Sequence, residues 1–114
     1  MLPYWVDAQI IYNYITGVDD EQKTESLRSF QLYQNYPNPF NPRTKLKYQI
    51  PELRFVTLTV YDILGNEIET LINEEKASGT YQIEFDASAL TSGIYFYKLQ
   101  AGSFVETKKM VLMK

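Results

Sequence analysis

Seven carboxylates between residues 62 and 86 are the side chains best placed to do chemistry: Asp62, Glu67, Glu69, Glu74, Glu75, Glu84 and Asp86. Residues two apart on a strand share a face. Glu67 with Glu69, and Glu84 with Asp86, could therefore stand as paired carboxylates of the kind glycoside hydrolysis uses. On exposed strand faces such pairs are usually only solvated. The partners that catalysis would recruit are also missing, because the chain has no histidine and no cysteine. That removes the usual general base, the commonest metal ligand, the thiolate nucleophile and any disulfide framework. A calcium loop needs several oxygens at alternate positions of one segment. Asp19-Asp20-Glu21 and Asp62 with Asn66 are the only approaches to this, and neither has such a spacing. No G-x-S-x-G, phosphate loop or dinucleotide fingerprint occurs. The residues thus argue against an enzyme and give no metal or cofactor site. Ten tyrosines and Trp5 could stack sugars. Most fall at strand periodicity, where interstrand packing is the simpler role.

The elements that must carry these residues read as short strands. Phe30–Gln34 is the first, ended by the block Asn35 to Pro42, NYPNPFNP. Its three prolines cannot supply a full ladder of N–H donors, so the block belongs at an edge or a corner. Asn38 and Asn41 precede prolines and are biased to extended geometry, and Phe40 is expected to plug the core from inside the loop. Leu46, Tyr48 and Ile50 alternate with Lys45, Lys47 and Gln49, one face apolar and one wet. Val56, Leu58 and Val60 repeat the pattern. Asp62 to Asn66 is a hairpin turn, Glu67 to Asn73 the returning strand, and Glu74 to Ser78 a polar loop. Tyr81, Ile83 and Phe85 mark the strand Gly79–Asp86, and Ala87 to Ser92 is a turn. In the last hairpin Tyr95, Tyr97, Leu99 and Ala101 share one face, while Ile94, Phe96, Lys98 and Gln100 take the other. Gly102 turns the chain into a final strand from Phe104 to Met113. Seven short strands with turn signals every eight to twelve residues predict an all-β, immunoglobulin-like antiparallel β-sandwich with Greek-key connections.

A chain of 114 residues that is 45% apolar and 15% aromatic has enough apolar mass for one packed domain. The net charge of −3 shows no basic excess, which argues against nucleic acid as a partner. The sandwich is expected to span residues 30–114. Residues 18–29 are polar, with no repeated apolar stripe, and read as a linker. Residues 1–17 have an ambiguous period and read as the tail of an upstream domain. The first residues lack a basic-then-apolar signal pattern.

A resemblance rests on motifs in series. They are Leu32-Tyr33-Gln34-Asn35-Tyr36-Pro37-Asn38-Pro39-Phe40-Asn41-Pro42, then Val60-Tyr61-Asp62-Ile63-Leu64-Gly65-Asn66-Glu67-Ile68, then Gly79-Thr80-Tyr81. Leu90-Thr91-Ser92-Gly93-Ile94-Tyr95-Phe96-Tyr97-Lys98-Leu99 and Thr107-Lys108-Lys109-Met110 follow. From about Phe30 to Lys114 the chain resembles the type A C-terminal sorting domain of the type IX secretion system, whose sandwich is similar to that of flagellar hook-capping proteins. The resemblance implies an address tag that directs a cargo protein across the outer membrane, by way of the periplasm, to the surface or the medium. It implies as partners an outer-membrane translocon, shuttle proteins and a sortase-like peptidase that removes the tag or attaches the cargo. It places the recognised signal in the terminal strand: Thr107, Lys108, Lys109, Met110, Val111, Leu112, Met113 and Lys114. That strand is expected to offer an edge for β-augmentation and a lysine-bearing end. The contrasting expectation is an immunoglobulin-like adhesive or carbohydrate-binding module, which a row of exposed aromatics on one sheet would favour.

Overall fold

The computed structural model describes residues 29–114. The expected cargo tail over 1–17, the linker over 18–29 except Ser29, and the Asp19-Asp20-Glu21 cluster lie outside the described residues. Seven strands form: β1 (Gln31–Leu32), β2 (Arg43–Ile50), β3 (Arg54–Tyr61), β4 (Glu67–Lys76), β5 (Gly79–Asp86), β6 (Gly93–Ala101) and β7 (Phe104–Leu112). They make two antiparallel sheets, β1-β2-β5 and β4-β3-β6-β7. The chain changes sheet between β2 and β3, between β4 and β5, and again between β5 and β6. This three-plus-four sandwich is the immunoglobulin-like architecture the strand pattern predicts.

The alternating sets meet in the middle. Leu46, Tyr48 and Ile50 from one sheet face Val56, Leu58, Val60, Tyr97 and Leu99 from the other, all buried. Burying each such side chain stabilises the fold by about 1.5–3 kcal/mol. Of the set on β5, Phe85 is buried while Tyr81 and Ile83 are half-buried. β5 is an edge strand, so its inward face is covered from one side only. Tyr81 still stacks on its cross-strand neighbour Tyr48, with ring centroids 5.4 Å apart. Near the start of β6 the Tyr95 hydroxyl donates to the carbonyl of Thr91 at 2.7 Å. This is the tyrosine corner that pins the turn before the equivalent strand of immunoglobulin-like folds.

β4 departs from the sequence reading. It continues to Lys76 instead of ending at Asn73, because Glu74, Glu75 and Lys76 keep pairing with Val56, Phe55 and Arg54. Two bulges interrupt it: Leu58 pairs with Ile72 and Thr59 with Thr70, and Val60 pairs with Glu69 and Tyr61 with Glu67. Leu71 and Ile68 are the extra residues. Simple alternation fails through them, so Glu67 and Glu69 lie opposite neighbouring residues of β3 and do not form the expected same-face pair.

The proline-rich block does more than turn a corner. Residues 33–36 follow β2, with Tyr33 N–H bonded to the Lys47 carbonyl and Tyr36 exchanging bonds with Lys45. The chain then crosses to the other sheet. Phe40 N–H donates to the Val111 carbonyl and Met113 N–H donates to the Phe40 carbonyl, each at 2.9 Å. Phe40 thereby forms a parallel bridge to Leu112, and its ring is buried edge-on against Phe85. A buried polar knot holds the crossing: the Asn35 amide donates to Thr44 Oγ1 and to the Pro37 carbonyl, and the Thr44 hydroxyl donates to that same carbonyl.

Candidate functional site

Pairing with β6 runs unbroken from Phe104 to Leu112, and alternation then sorts the eight residues expected to carry the signal. Met110 and Leu112 point inward and are fully buried core residues. Lys108 is half-buried and its ammonium lies 3.2 Å from the Glu106 carboxylate. Thr107 and Lys109 are exposed on the opposite face, Val111 is half-buried there, and Met113 is 58% exposed just beyond the strand. Lys114 is tied down at both ends: its main-chain N–H donates to Ser92 Oγ, and its ammonium donates to the Ser88 carbonyl at 2.6 Å. The sequence brought these residues onto one strand. The fold removes Met110 and Leu112 from any partner's reach while the domain stays folded.

The edge of β7 is also less open than expected. Gln34 Nε2 donates to the Lys109 carbonyl at 2.7 Å, and Asn38 Oδ1 accepts from the Val111 N–H at 3.0 Å. With the two Phe40 bonds, these close the outer edge from Lys109 to Met113. β-Augmentation of the whole terminal strand is therefore excluded in this conformation. Asn38 and Phe40 were legible as parts of a corner and Gln34 as the end of the first strand, but nothing local marks them as partners of β7.

The carboxylates are used in turns and on surfaces. Asp62 accepts main-chain N–H bonds from Leu64 and Asn66. The Asn66 N–H foremost, helped by Leu64 and Gly65, holds this carboxyl below its usual range. Asp86 is held low by the Ser88 hydroxyl and N–H, with Arg43 adding an ion pair at 3.4 Å. Glu84 and Asp86 do share the exposed face of β5, opposite Lys45 and Arg43. Among the described residues no three acidic side chains converge as a metal site would require. Nor do the aromatics make a row. Tyr48, Tyr95 and Tyr97 are buried. On the outer face of the larger sheet, Phe55 is separated from the Tyr61–Phe96 pair by Thr57 and Thr59 along β3. Where the 62–66 turn meets the 91–94 loop, Ile63 and Leu64 line a shallow groove of about 250 Å³.

What these features define is a small all-β module with a structured terminal strand. A family model described as "Secretion system C-terminal sorting domain" matches residues 34–113, and the chain belongs to that family. It is a C-terminal sorting signal for type IX secretion. No curated protein matches the chain. Among solved structures it is similar to PorZ, an essential bacterial surface component of the type-IX secretion system of Porphyromonas gingivalis. The TM-score is 0.52 at 15% identity, over 73% of this chain and 11% of the PorZ chain. At that identity the likeness concerns the fold alone, and the chain spans only a small part of PorZ.

Proposed function

We propose that the sandwich performs its sorting role as a non-catalytic tag whose terminal strand is read by the outer-membrane translocon or shuttle proteins of type IX secretion. The readable side chains are Thr107, Lys109, Val111, Met113 and Lys114, with Lys108 at the border and Met110 and Leu112 holding the strand in place. The observation that carries this reading is the outward row on a strand anchored along its length, from the Phe30–Phe104 ring stack at 5.1 Å to the Phe40 and Ser92 bonds at its end. The tag begins at about Phe30, behind a linker and the cargo's end. It travels through the periplasm with the cargo, which is released or anchored at the surface when a sortase-like peptidase cuts upstream of the sandwich.

The test fuses the full chain behind a periplasmic reporter in a bacterium with a working type IX system. Replacing Lys109 by Glu and Met113 by Asp alters the outward row without touching the core. Such surface changes usually shift stability by no more than about 0.5 kcal/mol each. The reporter should be retained in the periplasm while the purified variant keeps its melting temperature. Export equal to that of the unaltered tag would remove the terminal strand as the signal.

A further inference from the structure

The two outer edges of the four-stranded sheet are built differently. β4 carries Glu67, Glu69, Glu74 and Glu75 against Lys76, is exposed along most of its length, and is broken by its two bulges. Charges and bulges are the devices that keep an edge strand from pairing. β7 has no bulge, and its charges, Glu106 with Lys108 and Lys109, discourage pairing with a like strand while leaving the ladder regular. Val111 and Met113 turn main-chain groups outward to residues 38–40, and Lys109 turns its carbonyl outward to Gln34. In an antiparallel ladder this orientation repeats every second residue. The N–H and C=O groups of Val105 and Thr107 and the N–H of Lys109 therefore face outward as well, and none has a partner among the described residues.

We propose that Val105–Lys109 is a strand-docking edge that accepts an extended, carboxylate-bearing segment of a partner protein. It deepens the reading of the terminal strand as the contacted element by adding a main-chain contact in the strand's first half, since the proline-rich block closes the main chain of the second. Charge complementarity selects the occupant. Lys109 projects on the exposed face of β7, while Lys108 on the other face is paired with Glu106 at 3.2 Å, so the side chains of an added strand that share the Lys109 face are the ones that meet a lysine. Lys98, cross-strand from Thr107 on that face, leans the other way, its ammonium 5.3 Å from the Tyr61 ring of β3. Val105, 52% exposed, offers apolar contact at the start of the edge. The β4 edge presents the opposite charge and no regular ladder.

The experiment uses the isotope-labelled full chain and a capped hexapeptide alternating valine and glutamate, with a valine–lysine peptide as control. The acidic peptide should slow amide exchange at Val105, Thr107 and Lys109, and its affinity should fall with added salt. Thr107→Pro removes an outward N–H without breaking a bond to β6, a position where an edge strand tolerates proline. It should weaken the peptide by about tenfold or more. Lys109→Glu leaves the backbone intact and should also weaken it, which keeps the test decisive if the proline variant does not fold. Equal binding of the lysine peptide, or unchanged affinity in a folded variant, would overturn the proposal. So would slow exchange of these amides in the peptide-free chain, because the chain would then cover its own edge. The peptide assay is independent of export, so a loss of the sorting reading and a loss of the docking edge are separately visible.

Discussion

Phe40 is the residue on which two functions of the fold converge. Its ring fills the core beside Phe85 while its main chain closes the end of β7. Phe40→Ala should cost about 3–5 kcal/mol, as large aromatic truncations in cores do, read from the guanidinium midpoint. Tyr97 gives a pH test. It is fully buried, its hydroxyl donates to the Tyr33 carbonyl at 2.6 Å, and burial pushes its pKa up to about 12, with the nearby Glu106 charge adding to this. A raised acid pKa means that the neutral form is the one the fold stabilises. That stability is fully present below the unfolded tyrosine value of about 10 and is lost as the pH climbs from there through 12. The melting temperature should fall across this window together with the rise of tyrosinate absorbance. Tyr97→Phe should flatten the dependence and leave only the contribution of Tyr48, also raised to about 12 by burial.

Among the elements, the hairpin of β6 and β7 is set by its two-residue turn. Gly102 has φ +62°, and a Cβ there would come within 3.3 Å of the Arg54 side chain. Gly102→Val should destabilise by about 1–2 kcal/mol from the left-handed backbone alone, with the Arg54 contact adding to it, again read by chemical denaturation. The clasp on β7 can be weakened separately. Asn38→Ala deletes the acceptor for the Val111 N–H. The expected outcome is faster amide exchange at Val111, with a stability loss of about 0.5–1.5 kcal/mol. Exchange at Val111 unchanged from the parent would mean that the side chain does not close the edge in solution.

For the molecule as a whole, the terminal strand is at once the proposed signal and a structural wall. Deleting residues 109–114 would remove Met110 and Leu112 from the core and strip β6 of part of its partner. The truncated chain should lose cooperative thermal unfolding, so retention of a truncated reporter in the periplasm reports folding as much as recognition. Outward substitutions such as Lys109→Glu separate the two. The proposed domain boundary has its own check. Limited proteolysis should leave a resistant fragment beginning close to Phe30, whose ring packs on Phe104. A resistant fragment beginning inside β2 or later would move the boundary.

Strand periods, turn residues and core sets were local properties, so the sequence alone determined them. Leu46/Tyr48/Ile50 and Val56/Leu58/Val60 lie inward because apolar residues at every second position have one face to bury. The 62–66 and 102–103 turns form where Asp, Gly and Asn supply caps and positive φ. The ordered series of motifs also carried the family. Only the tertiary structure decided where β4 slips, because a bulge depends on how two strands fit the twist of their sheet. The same holds for the closing of the β7 edge. Gln34 and Asn38 reach partners 75 and 73 residues away, a distance over which no local pattern pairs residues. Which half of the terminal strand keeps an open main-chain edge likewise depends on the first segment, which crosses between the sheets and bonds the other half.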